Sequence, residues 1–343
     1  MSGAAMDGTA AAGAAAPRPM GGRFAPGTAP TLALTALVAA GSAVALSWVH
    51  APGTAGQAGA GFWTYVLVLW ALATWTVQRL TRLRATGRWS GRALGLAAPL
   101  AFGAFALVLW ELVIAGFGVP VALMPAPSAI WARIVTSLPV LAADFVQTFV
   151  KAVLTGYAMG AVAGFVVAIA ADRVPFLKRG LLPLGNFVAA LPIVGIAPIM
   201  VMWFGFDWQS KAAVVVVMTF FPMLVNTVSG LSAAGSLERD LMRSYAAGYW
   251  QTLVKLRLPA ALPFIFNALK INSTLALIGA IVAEFFGTPV VGMGFRISVE
   301  AARLALDMVW AEIAVAALAG SAFYGLVALA ERAATFWHPS YRA

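Results

Sequence analysis

Cysteine is absent from the 343 residues, histidine occurs twice, and charged side chains make up only 10% of the chain. Without thiols there is no disulfide, no thiolate nucleophile and no cysteine-held zinc or iron–sulfur site. His50 and His338 stand far apart in the sequence, and no HExxH, GxSxG or paired-carboxylate pattern accompanies them. Neither a metal site nor a catalytic constellation is therefore expected. A Walker A loop to cradle nucleotide phosphates is missing too, so the chain is read as no enzyme and as needing no cofactor. The scarcity of charge, set against 62% hydrophobic residues and a mean hydropathy of +0.90, excludes an ordinary soluble domain. An all-α polytopic membrane protein in contact with lipid is the expectation.

Eight apolar runs, each near the ~20 residues that span a bilayer, are read at 31–49, 62–80, 94–115, 145–171, 181–204, 211–231, 263–286 and 309–331. The net charge of +10 does not point to nucleic acid, because the basic residues sit at the ends of these runs rather than on a basic, aromatic-bearing surface. Arg79, Arg82, Arg84, Arg88 and Arg92 crowd one connection; Arg173, Lys178 and Arg179 follow the fourth run, and Arg332 and Arg342 the eighth. The alternate connections hold only Arg133, Lys151, Lys211, Arg296 and Arg303. By the positive-inside rule both termini are expected in the cytoplasm. Residues 1–29, rich in Ala, Gly and Pro, read as a disordered cytoplasmic tail. Residues 30–93 read as an accessory two-helix segment with a basic cytoplasmic linker, and 94–343 as the working core.

Within that core the polar exceptions are few. Gly156, Gly160 and Gly164 repeat every four residues and cut a smooth groove for a neighbouring backbone. Pro183, Pro192 and Pro198, with Gly185 and Gly195, break the fifth run, as a pathway wall can. Asn186, Asn226, Asn267, Lys270, Asn272 and Glu284 are the candidate pathway residues. Asn267, Lys270 and Thr274 share one helix face. Only Glu111 and Glu284 count as acidic groups well inside the runs. Segment 298–307 looks helical, with Arg296, Glu300, Arg303 and Asp307 on a charged, solvated face.

The longest polar interruption of the C-terminal half runs from Asp240 to Pro263. Leu241, Tyr245, Tyr249 and Leu253 recur every four residues there, so a helix over about 240–257 would carry one apolar stripe. Leu258-Pro259 and Leu262-Pro263 are expected to end it and fix its angle to the seventh span. The basic residues Arg239, Arg243, Lys255 and Arg257 set this loop on the cytoplasmic side.

In register, this stretch resembles the EAA loop of ABC-importer permeases. That pattern reads Glu-Ala-Ala, three residues, Gly, nine residues, Ile, one residue, Leu-Pro. Asp240 takes the Glu place, Leu241 and Met242 the Ala places, Ala246 the Gly place, Leu256 the Ile place, and Leu258-Pro259 the Leu-Pro. Ala at 246 resists the positive φ that Gly accepts. The wording around Arg243-Ser-Tyr and Leu258-Pro-Ala-Ala-Leu-Pro263 is similar to the nitrate/sulfonate/taurine and thiamine-precursor branch.

The resemblance covers about 94–341 and implies the type I permease fold, a core of six helices plus two extra at the N-terminus. It also implies a bacterial inner-membrane location, a permease homodimer, two cytoplasmic ABC ATPase subunits and a periplasmic or lipid-anchored solute-binding protein. The coupling loop would lie at 232–262, with Asp240, Leu241, Met242, Arg243, Tyr245, Ala246, Trp250, Leu256, Leu258 and Pro259 as contacts to the ATPase. The solute implied is small and polar, a pyrimidine-like thiamine precursor or a sulfonate-, nitrate- or taurine-like anion. The alternative is a secondary transporter driven by an ion gradient, which would need intramembrane carboxylates in an internal repeat.

Overall fold

The structure, a computed structural model, describes residues 28–51, 56, 58–83, 88–189, 191–287 and 290–337. Of the tail expected over 1–29, residues 1–27 lie outside the described residues, as do Arg84 and the residues from 338 on, while Thr28 and Ala29 already belong to the first helix. Every regular element among the described residues is helical. Among the described residues, seven helices are long and apolar enough to cross a membrane.

The contacts divide the chain into two compact units, 1–118 and 119–343. The first holds α1 (Thr28–Val49), α2 (Ala60–Arg82) and α3 (Arg88–Gly116). Helix α3, grouped by sequence with the core, buries Phe105 and Leu112 against Val38, Ala45, Phe62, Val66 and Leu69 of α1 and α2. Glu111 is not stranded in the apolar surroundings, because its Oε1 lies 3.0 Å from Nε2 of His50.

The second unit holds α4 (Pro127–Thr136), α5 (Leu138–Arg173), α6 (Pro175–Ala189), α7 (Ile193–Phe204), α8 (Trp208–Leu231), α9 (Ser236–Ser244), α10 (Tyr249–Glu284), α11 (Met293–Ala302) and α12 (Leu306–Ala334). Its centre is the packing of α8 against α5 on one side and α10 on the other. The glycine groove of α5 makes this possible. A Cβ at Gly156 would lie 2.6 Å from the Ala212 carbonyl oxygen, and one at Gly164 2.5 Å from that of Phe220. Ala152, Val153, Val215, Ala276 and Ala280 fill the space between α5, α8 and α10 with small side chains. Such close approach is how apolar helices adhere where lipid removes any hydrophobic drive between them.

The fifth apolar run is two helices. α6 ends at Ala189 and α7 starts at Ile193 with Pro192 as its N-cap, so the helix is interrupted between them. Proline at 192 has no N–H to continue a ladder and disfavours helical backbone in the residue before it. α7 closes at Gly205, and Asp207 then caps α8 by accepting from the Trp208 N–H at 2.8 Å.

Candidate functional site

Three groups of polar residues stand out in the second unit: one at the end carrying α9, one along α8 and α10, and one at the end carrying α11.

α9 has no buried residue. Leu237 and Leu241, one turn apart, are 83% and 56% exposed, and Tyr245 beyond them 78%. Glu238 in the first turn and Arg243 in the last suit the helix dipole. The Asp240–Arg243 pair at 3.3 Å is solvent-exposed and adds little stability. A single helix from 240 to 257 is not what forms. α9 stops at Ser244 in a Schellman turn, where the Ala246 N–H donates to the Arg243 carbonyl at 2.9 Å and the Ala247 N–H to that of Met242 at 3.0 Å. Ala246, at the glycine place of the pattern, adopts φ +52° despite its Cβ, at a cost of about 1–2 kcal/mol.

The expected stripe is cut there. Leu241 and Tyr245 stay exposed, whereas Tyr249 and Leu253 join the core with Leu231 and Ala261. Trp250 is 60% exposed, and Met242, Leu256, Leu258 and Pro259 are half-buried. The two prolines do not end the helix either. Residues Leu253–Arg257 wind as a π-helix, so the Leu258 N–H donates to the Leu253 carbonyl, and α10 continues through Pro259 and Pro263. Widening the ladder ahead of proline takes up its missing donor and bulky ring.

Sequence reasoning missed what fastens this region. Arg257 forms a bidentate pair with Asp172 near the end of α5, Nη2 to Oδ1 at 2.6 Å and Nη1 to Oδ2 at 2.8 Å. Its Nε donates to the Leu231 carbonyl at 2.9 Å, and the Tyr249 hydroxyl donates to Asp172 at 3.0 Å. Arg173 lies over the rings of Tyr249 and Trp250 at 5.1 and 5.8 Å.

The predicted pathway residues do not form one cluster. Asn226 donates to the Pro222 carbonyl at 2.8 Å and meets Asn267 at 3.5 Å. Lys270 is bound to Glu331 of α12 at 2.7 Å. Asn272 is fully buried and donates to the Thr219 carbonyl at 2.8 Å, tying α10 to α8. Asn186 lies in α6, and its side chain is outside the described residues. Asn267 and Thr274 lie on an exposed face of α10, with Ile271 and Ile278 between and beyond them.

Glu284 is buried at the α11 end. It accepts from the Thr148 hydroxyl and the Gly294 N–H, both at 2.7 Å. Asp144 accepts from the Gly292 N–H at 2.6 Å and from Arg296 at 2.8 Å. Two carboxylates from other helices thus satisfy the free N–H groups at the start of α11, which no local side chain caps. Gly292 sits at φ +146°, where a Cβ would press on Glu284 at 2.7 Å. The Arg296 guanidinium is held above its ordinary pKa by Asp144.

The face expected to be merely solvated is therefore partly engaged: Arg296 binds Asp144, and Asp307 binds Arg133 at 2.7 Å. α11 also stops at Ala302, short of Asp307. Acidic groups inside the bundle are more numerous than the sequence suggested, since Asp144, Glu312 and Glu331 are buried as well.

Beside this cluster a cleft of about 830 Å³ is lined by Val146, Gln147, Lys151, Phe206, Asp207 and Val291, among others. Gln147 spans two charges, donating to Asp207 at 2.7 Å and accepting from Lys151 at 3.0 Å. Asp207 is thereby held below the usual carboxylate value, first by the Gln147 hydrogen bond and then by the Trp208 N–H. Lys211 is buried and donates to the carbonyls of Phe206 at 2.6 Å and of Gly287.

Residues 156–336 match the family described as "Binding-protein-dependent transport system inner membrane component". The chain is 29% identical over 263 residues to the riboflavin transport system permease protein RibX of Chloroflexus aurantiacus, covering 76% of this chain and 96% of that one. It is 31% identical over 189 residues to the formylaminopyrimidine transport permease protein ThiX of Halalkalibacterium halodurans, 55% of this chain and 75% of that one. With the putative aliphatic sulfonates transport permease protein SsuC of Bacillus subtilis it shares 29% over 186 residues, 54% and 67% of the two.

Proposed function

Because this chain belongs to the binding-protein-dependent transport system inner membrane components, the multi-pass permease subunits of ATP-driven ABC importers, we propose that α9 is the element through which it receives the ATPase's stroke. The observation that carries this is a short helix standing clear of the bundle with a bare apolar edge, Leu237, Leu241 and Tyr245, and no partner of its own. An amphipathic helix of this kind lays its apolar edge into a groove of another protein. The contacts are Asp240, Leu241, Met242, Arg243, Tyr245, Ala246 and Trp250, with Leu256, Leu258 and Pro259 supporting them at the root. α9 and both termini then face the cytoplasm, in keeping with the basic connections at that end. Two copies of the chain pair with two ATPase subunits on one side and a solute-binding protein on the other.

The solute of this reading is a nitrogen heterocycle of pyrimidine or flavin type. Two relatives named for such solutes, formylaminopyrimidine and riboflavin, support it. The two lysines held within the bundle at 211 and 270 also favour it over an anion. Lys270 is neutralised by Glu331, and Lys211 is tied to backbone carbonyls, so neither offers a free cation to a sulfonate. Asn226, Asn267 and Thr274 would meet the solute through hydrogen bonds, and Lys270 would border it. Asn272 and Glu284, bound to α8 and to α11, brace the wall, and Asn186 belongs to the same pathway.

The test is co-purification of the permease with its cognate ATPase, followed by uptake into proteoliposomes loaded with ATP. Leu241→Asp should lose the ATPase and the uptake together while remaining monodisperse in detergent. An undiminished complex with Leu241→Asp and Leu237→Asp combined would overturn the assignment. For the solute, import of labelled hydroxymethylpyrimidine or riboflavin is expected and import of taurine is not; the reverse would end that preference.

A further inference from the structure

α9 is joined to the bundle at two roots: α8 ends at Leu231 just before it, and α10 begins at Tyr249 just after it. One guanidinium holds both roots. Arg257 reaches the Leu231 carbonyl with Nε and Asp172 of α5 with both Nη atoms, and the Tyr249 hydroxyl closes the ring on the same carboxylate. The side chains of Asp172 and Arg257 are 5% and 17% exposed, so water competes little. Asp172 also sits in the last turn of α5, where the helix dipole opposes negative charge. A capping role alone would be served better by a neutral or basic residue there. The carboxylate makes sense as the receptor for Arg257, whose planar fork a lysine cannot reproduce.

We infer that Asp172 and Arg257 are positioning residues that staple the two roots of α9 to α5, making α5, α8 and α10 turn with α9 as one rigid lever. This inference rests on the proposed role of α9. Without the staple, α9 would be held only by its short connections to α8 and α10, and the ATPase stroke would be spent in the loop. ATP would still be hydrolysed, but the membrane helices would no longer follow.

The test uses the full complex with its cognate ATPase, in which spin labels are placed at Arg239→Cys on α9, away from its apolar edge, and Ile278→Cys on α10, with the labelled chain diluted into unlabelled chain so that only the distance within one chain is read. In the parent protein the distance between the labels should stay a single narrow peak with and without ATP plus vanadate. In Asp172→Asn and in Arg257→Lys a second, swung population should rise about 10-fold in the trapped state, the equivalent of ~1.4 kcal/mol. The same variants should keep the ATPase bound and hydrolysing while uptake per ATP falls. The exchanged pair Asp172→Arg with Arg257→Asp should restore the single peak in part, which a mere loss of folding would not. Unchanged distances and unchanged uptake per ATP in both single variants would overturn the inference. If the parent protein itself bound no ATPase, the proposed role of α9 would fail instead, a separate outcome.

Discussion

Replacing Gly160 by alanine tests the packing on which the bundle depends. A Cβ built there would stand 2.0 Å from Thr219 Oγ1, 2.8 Å from the Val216 carbonyl oxygen and 3.1 Å from its Cα. Thr219 is fully buried, and its hydroxyl already donates to the Val215 carbonyl at 2.8 Å, so it gives way only by breaking that bond. The backbone contacts have no such freedom, and α5 must retreat from α8. Overpacking of this kind costs about 1–3 kcal/mol. A unit of this size loses roughly 2–4 °C of melting midpoint per kcal/mol, so Gly160→Ala should melt about 2–12 °C lower in detergent. Thr219→Ala removes the nearest obstacle, and the double variant should lose less than the sum of the singles. Scanning fluorimetry of the four proteins of the cycle measures both effects. An unchanged midpoint for Gly160→Ala, or strict additivity in the cycle, would show that the helices do not touch there.

Ala246→Gly should relieve a strained backbone worth about 1–2 kcal/mol and give back ~0.5–1 kcal/mol in chain entropy. Amide exchange at the end of α9 should therefore slow slightly or stay level, and acceleration would contradict the left-handed turn. Lys270→Met strands the nearly buried Glu331 carboxylate, costing about 3–5 kcal/mol. Adding Glu331→Gln should recover most of this, as read by the melting midpoint. Asp207 has its folded pKa depressed below the ordinary 3.8. Its stabilising contribution is complete above that ordinary value and is lost as pH falls through the depressed one. Gln147→Leu should shift the acid limb of the melting-midpoint profile to higher pH, and an unshifted limb would remove Gln147 as the cause.

What could be read from the sequence was whatever local spacing determines. Seven of the eight apolar runs and the four-residue glycine groove of α5 follow from periodicity and appear in the fold; the fifth run does break, but at Pro192 alone, since Pro183 and Pro198 stay inside α6 and α7. The segment from Asp240 to Pro263 was legible as an exposed polar interruption, but its helix break was not. Ala246 gives no local sign of a left-handed turn, since Ala is the best helix former. The π-helical stretch before Pro259 is likewise a response to packing that no spacing announces. Glu284 was legible as an intramembrane acid but its partners were not, because Thr148 lies 136 residues away and the Gly294 N–H becomes available only where α11 starts. Arg257 and Asp172 lie 85 residues apart, and Arg257 read as one more topology-setting base until the fold set it against α5.

In the proposed function, α9 is a lever moved by another subunit's ATP hydrolysis. As the chain has no cysteine, Leu241→Cys provides a unique chemical handle on the exposed edge of α9. In sealed vesicles with the cognate ATPase, this thiol should crosslink to the ATPase and resist membrane-impermeant maleimide added from the periplasmic side. Labelling from the periplasmic side, or ATP-dependent uptake that persists with no ATPase crosslinked or bound, would contradict the account.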